Sequence, residues 1–174
     1  MILHYVIGQP GAGKSTAVRS ALAHLPRTSR PKPLAHTVYA TEDGRDIAAI
    51  QLGVDRQDFP GTDTLSMGVF PVAVDFLKSY PAPVVIGEGD RLASKKFFEE
   101  AVLAGYRVNV ILIDTPDQLA GDRRAARGST QNETWLKGRI TKTANLTEHY
   151  RPVSIDGAQA PEAVAAQLRE CFGL

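Results

Sequence analysis

The segment Gly-Gln-Pro-Gly-Ala-Gly-Lys-Ser-Thr, residues 8–16, limits the possible folds of this chain more than any other feature. It satisfies the pattern G-x-x-x-x-G-K-[ST] and follows directly on the apolar run Ile2–Ile7. Glycines in this pattern let consecutive backbone N–H groups converge on phosphate oxygens, at a helix N-terminus whose dipole favours anions. The sequence therefore predicts a strand, a phosphate-binding loop and a helix from about Lys14 to Leu25. The alternative is a glycine-rich turn that binds nothing, and the agreement of motif and context disfavours it.

The loop predicts specific roles for its last residues. We expect Lys14 to reach the β- and γ-phosphates of a nucleotide and Ser15 to place its hydroxyl on Mg²⁺, while Thr16 adds a hydrogen bond. The predicted nucleotide-binding set is Gly8, Gly11, Ala12, Gly13, Lys14, Ser15, Thr16 and Arg123.

Length and composition indicate one ordinary domain. The chain has 174 residues, of which 43% are hydrophobic and 22% charged. No apolar run approaches the roughly 20 residues of a membrane span, and no export signal is evident, so we expect a cytoplasmic protein without a membrane partner. A net charge of +1 gives no overall attraction to nucleic acid, although a local basic cluster would. The single Cys171 and four scattered histidines predict neither a disulfide nor a zinc site.

Hydrophobic patterns alternate between strands and helices along the chain. Strands are predicted at residues 2–7, 35–40, 46–52, 82–87, 106–114 and 151–156, with a proline-punctuated basic loop at 26–33. A helix is expected from Thr62 to Ser79 and should be kinked or split by Pro71. Another runs to about Arg127, with Thr115 as its N-cap. The expected fold is a single-domain, three-layer α/β fold of the P-loop NTPase type. Its mostly parallel sheet is covered by helices on both faces, with a small helical lid at about 123–142.

Three carboxylates are candidates for chemistry. Glu88 and Asp90 follow a strand that should lie beside the first one, where a carboxylate can hold magnesium or orient a nucleophile. The alternative is a solvated turn in which Asp90 pairs with Arg91. Asp63 is either an ordinary helix N-cap or a general base for an acceptor hydroxyl, with Arg56 as a possible anion contact.

A basic segment lies between residues 123 and 142. Its six cations face only Asp122 and Glu133, so it is far more basic than the whole chain; they are Arg123, Arg124, Arg127, Lys137, Arg139 and Lys142. Two basic stretches around a polar loop are typical of a closing lid whose arginines neutralise charge on a transferred phosphoryl group. The alternative is a solvated helical hairpin. The only tryptophan, Trp135, would stack on a base or anchor the lid to the core.

The order of these features separates the classes of phosphate-loop protein. No N-K-x-D element of a GTPase is present, and the chain is short for an AAA-type motor. The layout resembles the nucleotide and polynucleotide kinase group of P-loop proteins. More narrowly, the segments FPGTDTLSM, GEGDRL and GSTQNETWLKGRITKTANL resemble bacteriophage kinases that phosphorylate 5-hydroxymethyluracil in DNA.

This resemblance implies an enzyme that uses ATP and Mg²⁺ and acts on DNA containing 5-hydroxymethyluracil. Lys14 and Ser15 would bind MgATP, Asp63 or Glu88 would activate the hydroxyl, and Arg124 and Arg127 would stabilise the transition state. Predicted acceptor contacts are Arg56, Asp63, Arg91, Trp135, Lys137 and Arg139, and Asp90 belongs to the catalytic candidates. A free nucleoside, nucleotide or other small acceptor remains an alternative, as does a regulator that holds ATP without transferring phosphate.

Overall fold

A seven-stranded sheet forms the centre of the computed structural model, which describes residues 1–54 and 61–174. The strands are β1 (Ile2–Ile7), β2 (Arg27–Arg30), β3 (His36–Ala40), β4 (Ile47–Leu52), β5 (Val84–Glu88), β6 (Arg107–Asp114) and β7 (Val153–Asp156). Their order across the sheet is β2-β3-β4-β5-β1-β6-β7. Only β3 runs against its neighbours, and β1 pairs in parallel with β5 and β6. The prediction that the Glu88 strand lies beside the first strand is confirmed.

Helices cover both faces of this sheet. They are α1 (Lys14–Ala21), α2 (Phe70–Ser79), α3 (Lys95–Leu103), α4 (Asp117–Ala126), α5 (Glu133–Tyr150) and α6 (Pro161–Phe172). Alternate side chains of β1 point to opposite layers: Tyr5 packs with Phe97 of α3, whereas Val6 shares its cluster with Leu168 of α6. The predicted single-domain, three-layer fold is confirmed. Within the described ranges, no helix has both the length and the apolar character that a membrane crossing requires.

The basic segment 26–33 contains a strand that the sequence did not predict. β2 pairs antiparallel with β3 at the edge of the sheet, and all four of its residues are exposed. Exposed edge strands lack the alternation of buried and polar residues by which strands are recognised, because backbone pairing alone holds them. The neighbouring strands β3 and β4, which correspond to the predicted strands 35–40 and 46–52, pair antiparallel.

The predicted helix from Thr62 to Ser79 is split, as Pro71 led us to expect. Thr62–Thr64 form a single 3₁₀ turn, and α2 begins at Phe70 with Pro71 in its first turn. Proline fits there because first-turn N–H groups have no partner within the helix. The break leaves Asp63 on a short turn beside the end of β5 rather than on a long helix.

Candidate active site

The loop between β1 and α1 adopts a conformation that depends on its glycines. Gly11 and Gly13 have φ angles of 90° and 93°, which L side chains rarely adopt. A Cβ on Gly11 would also overlap the carbonyl oxygen of Ala120. The loop is therefore pressed against α4, and the first N–H groups of α1 stand at its far end.

Donors from α4 and the end of β6 hold the loop in shape. Arg124 Nη1 donates to the carbonyl of Pro10, and Arg123 Nη1 donates to the carbonyl of Ala12 at 3.4 Å. Thr115 was predicted to cap α4, but the cap position is Pro116, whose side chain makes no cap hydrogen bond. Thr115 is buried instead, and its hydroxyl donates to the carbonyl of Ala12 at 3.1 Å. It serves the loop because the turn after β6 directs it back into the core.

The lysine of the motif lies among charged groups. Lys14 Nζ donates to the carbonyls of Gly8 and Gln9 at 2.9 and 3.1 Å. Burial lowers the pKa of Lys14, and the nearby carboxylates of Glu88, Asp63 and Asp90 oppose this shift while Arg127 adds to it. The structure thus brings the motif lysine close enough to the three candidate carboxylates and to Arg127 for their charges to interact.

Glu88 is the buried carboxylate of this site. It ends β5, pairs in register with Val6 of β1, and is 1% exposed. Its carboxylate rests against Gly61, whose φ of 64° and lack of a side chain permit the approach, since a Cβ there would overlap Glu88 Oε1. A carboxylate held this rigidly beside a phosphate loop is suited to positioning a charged partner.

Asp63 organises the turn that follows β5. Its Oδ1 accepts hydrogen bonds from the backbone N–H groups of Asp90 and Arg91 at 2.9 and 3.0 Å. The N-cap position of its 3₁₀ turn is Gly61, and Asp63 lies inside the turn, so the N-cap interpretation is wrong. The neighbouring Thr62 donates to the carbonyl of Glu88 at 2.7 Å, which ties the same two segments together.

Asp90 links this turn to α5. Its carboxylate pairs with Arg139 Nη1 and with Lys142 Nζ, the latter at 3.1 Å, and Lys142 also donates to the backbone carbonyl of Asp90 at 2.9 Å. The alternative in which Asp90 pairs with Arg91 is therefore wrong, because α5 crosses the turn and supplies two cations at shorter range. Asp90 attaches the second basic stretch to the end of β5.

Of the remaining predicted acceptor contacts, Arg139 and Trp135 lie near the site and Lys137 projects into solvent. Arg139 lies over the ring of Trp135, 5.1 Å from its centroid, and Trp135 is 36% exposed. Lys137 points into solvent and pairs with Glu133 one turn earlier at 3.9 Å, so the structure does not bring it to the site. Arg56 lies outside the described residues.

A cavity of about 310 Å³ opens beside the phosphate loop. Its walls come from the loop, α1, α4 and the start of α6, and they include Gly11, Gly13, Thr16, Arg123, Arg127, Gly157, Gln159, Pro161 and Val164. Arg123 Nη2 donates to the carbonyl of Gly157 at 3.1 Å across it. The size and the mixed apolar and polar lining suit the base of a nucleotide whose phosphates lie on the loop.

Sequence reasoning missed Gly157 and Gln159 on this wall. They follow β7, and the rule that ligands bind beyond the carboxyl ends of parallel strands would have found them. The adjacent segment was interpreted only as a strand followed by a helix.

The donor set fits a magnesium ion that is held partly by nucleotide. Among the described residues, no three acidic, histidine or cysteine side chains form a metal-binding group. Mg²⁺ needs no such group when substrate phosphates and water complete its shell, and one or two protein oxygens then suffice. The hydroxyl of Ser15, at the start of α1, and the carboxylate of Glu88, at the end of β5, would be the protein oxygens for such an ion.

Arg124 and Arg127, the two lid arginines expected to stabilise the transition state, have different surroundings. Arg124 bonds to Pro10 and should support the loop, whereas Arg127 lines the cavity near Lys14. We expect Arg124→Ala to raise the KM for ATP and lower the Tm. We expect Arg127→Ala to lower kcat roughly 10- to 100-fold, because its charge is needed as negative charge develops. Steady-state kinetics and thermal melts would measure both, with Arg30→Ala on the far edge strand as control. Equal effects of both variants on kcat would contradict this division.

A protein-family model described as P-loop Nucleotide Kinase3 matches residues 1–170. No curated protein matches the sequence. A sugar kinase from Janibacter sp. HTCC2649 shares the fold with a TM-score of 0.53 and 13% identity, over 97% of this chain and 92% of that chain. Shikimate kinase from Aquifex aeolicus vf5 does so with a TM-score of 0.52 and 14% identity, over 99% and 96%.

At such identities the two structures show a common fold and nothing finer. Neither of them is a bacteriophage 5-hydroxymethyluracil kinase, so that narrower resemblance stays a prediction. The family model, in contrast, spans nearly the whole chain, including the phosphate loop and the residues gathered around Lys14. The chain therefore belongs to the P-loop nucleotide kinase 3 family, and it is a phosphotransferase of the P-loop kinase class.

Proposed function

We propose that this kinase transfers the γ-phosphate of ATP to a hydroxyl group of a small acceptor, a free nucleoside, nucleotide or similar molecule. The observation that carries the proposal is the single site in which Lys14 lies among Glu88, Asp63 and Asp90 at the carboxyl ends of parallel strands. This is where the fold places ligands. The cavity beside the loop supplies a place for the nucleotide base. The turn that follows β5, which Asp63 holds through the N–H groups of Asp90 and Arg91, lies where an acceptor would enter.

In this proposal each residue has a defined task. The loop from Gly8 to Gly13 and Lys14 hold the phosphates, and Ser15 with Glu88 would hold Mg²⁺, which supplies charge neutralisation when bound. The acceptor oxygen bonds to the γ-phosphorus as the bond to the β,γ-bridging oxygen breaks. Asp63 or Glu88 takes the hydroxyl proton, and ADP leaves with the electron pair of the broken bond.

The charge arrangement on α5 supports a small acceptor over DNA. A DNA groove needs cations whose charge is available to phosphates. In the structure, Arg139 and Lys142 are directed to Asp90, and Lys137 alone of these three projects into solvent, beside Glu133 at 3.9 Å. The solved neighbours named above are, by their titles, kinases of a sugar and of shikimate, which are both small molecules.

A second candidate is the hydroxyl of 5-hydroxymethyluracil in DNA. It is favoured by the partly exposed Trp135 beneath Arg139, because an aromatic ring backed by a guanidinium is suited to stacking on an extruded base. The segments FPGTDTLSM and GEGDRL carry the sequence resemblance to kinases of that kind.

The two candidates are separated by one transfer assay. Purified protein would be given γ-labelled ATP and Mg²⁺ with nucleosides, nucleotides, sugars, hydroxy acids, plain DNA or DNA containing 5-hydroxymethyluracil, and Lys14→Ala protein would serve as the blank. We expect label on a small acceptor. Label on the modified DNA alone would establish the second candidate, and ATP binding without transfer to any acceptor would overturn the proposed function.

A further inference from the structure

The cations around the candidate acceptor site differ in whether a carboxylate pairs with them. Arg139 and Lys142 share the carboxylate of Asp90. In the part of the chain that the structure describes, Arg91 makes no ion pair, although it follows Asp90 directly. Among the described residues, Arg91 is therefore the cation of this turn that no carboxylate partners.

The position of Arg91 is fixed by the same carboxylate that organises the site. Its backbone N–H donates to Asp63 Oδ1 at 3.0 Å, alongside the N–H of Asp90. Asp63 is one of the two candidates for activating the acceptor hydroxyl. The base of the Arg91 side chain is thus held at a set place relative to the group that would receive the proton.

The guanidinium of Arg91 has weak partners. Its Nη1 contacts the sulfur of Met67, a thioether that accepts hydrogen bonds poorly, and its Nε is buried without a hydrogen-bond partner. A buried donor on a charged group is costly when it lacks a partner, and native structures leave few of them. Met67 itself is 85% exposed and Arg91 is half-buried, so the Nη1 end of the guanidinium lies near the protein surface.

These observations point to an anionic oxygen as the missing partner. We infer that Arg91 binds an anionic group, a phosphate monoester or a carboxylate, on the acceptor. This inference rests on the proposed function, since it assigns the charge class of that acceptor. Arginine suits such a group because its planar fork presents two parallel N–H donors to two oxygens. Displacing Met67 exchanges a thioether contact for charge-assisted hydrogen bonds, and Arg91 then selects anionic hydroxyl compounds over neutral ones.

The first experiment measures anion binding without any phosphoryl transfer. Inorganic phosphate, and separately malonate, would be titrated by calorimetry into wild-type, Arg91→Met and Arg91→Lys proteins saturated with ADP, so that the phosphate loop is already occupied. Arg45→Met, a change in the exposed turn between β3 and β4, is the matched control. We expect wild type and control to bind one probe and Arg91→Met to lose about tenfold or more in affinity, with Arg91→Lys between them. The tighter probe identifies the anionic group.

Equal affinity in Arg91→Met, or no binding of either anion by wild type, would overturn the inference. The second experiment compares matched acceptors that differ only in charge, such as a nucleoside and its 5′-monophosphate, or a sugar and its sugar acid. Arg91→Met should raise the KM for the anionic member far more than the KM for the neutral member. Preference of wild type for neutral members would also overturn it. Absence of transfer to any acceptor would count against the proposed function, and the calorimetry would still decide the role of Arg91.

Discussion

Lys14→Ala should reduce phosphoryl transfer by at least about 10³-fold while leaving the fold intact. Lys14 is the only described cation of the phosphate loop itself, and its Nζ stands within hydrogen-bond distance of the Gly8 and Gln9 carbonyls. In the reaction the ammonium group would contact the β- and γ-phosphates and stabilise the negative charge that develops on the leaving oxygen. Alanine at this position removes the charge, but it keeps the backbone N–H groups at the start of α1.

Kinetics with the best acceptor from the transfer assay would measure this effect, and circular dichroism with a thermal melt would verify the fold. Lys32→Ala, on an exposed segment after β2, is the control and should keep normal turnover. Turnover of Lys14→Ala within tenfold of wild type would remove the phosphate loop from the mechanism.

Glu88→Gln is expected to lower kcat by about 10²-fold or more, with ATP affinity changed only a few-fold. The carboxylate is 1% exposed, and it contributes to the electrostatic environment of Lys14. Glutamine has nearly the same shape, so the space beside Gly61 stays filled while the negative charge is lost. The loss should fall on kcat because that charge is used in orienting the reacting groups.

The dependence of rate on Mg²⁺ concentration separates the two tasks proposed for Glu88. If Glu88 helps to hold the ion, raising Mg²⁺ should partly restore the rate of Glu88→Gln; if it is the base, the rate should stay low at all concentrations, and Asp63→Asn should be milder. Glu100→Gln, at the exposed ion pair with Lys78, is the control. A Glu88→Gln enzyme with normal kcat would assign a purely structural role to this buried residue.

Most of the fold was predictable because most of its strands carry their own burial pattern. Runs such as Ile2–Ile7 and Arg107–Asp114 contain apolar residues that fit a sheet buried on both faces. β2 carries no such pattern, since Arg27–Arg30 is exposed throughout and exists through pairing with β3. Thr115 misled for a related reason: a threonine before a helix is normally a cap, and only the packing of α4 on the phosphate loop directs its hydroxyl elsewhere.

The sequence predicted which residues lie in the candidate site better than it predicted which partners each of them contacts. Glu88, Asp63 and Asp90 do lie together near Lys14, as strand ends and motif spacing indicated. Their separate surroundings were not predictable. One carboxylate is buried against Gly61, one bridges two backbone N–H groups, and one is neutralised by α5.

The sequence by itself determined the phosphate loop and the strand and helix around it. These features are local: nine consecutive residues set the backbone conformation and the helix N-terminus that bind a phosphate. Only the tertiary structure decided which charges remain available for an acceptor. Asp63 meets Asp90 across 27 residues of chain, and Asp90 meets Arg139 and Lys142 across 49 and 52. The first contact is a hydrogen bond from the backbone N–H of Asp90, and the other two include ion pairs that depend on how α5 packs across the end of β5. No local pattern encodes these contacts.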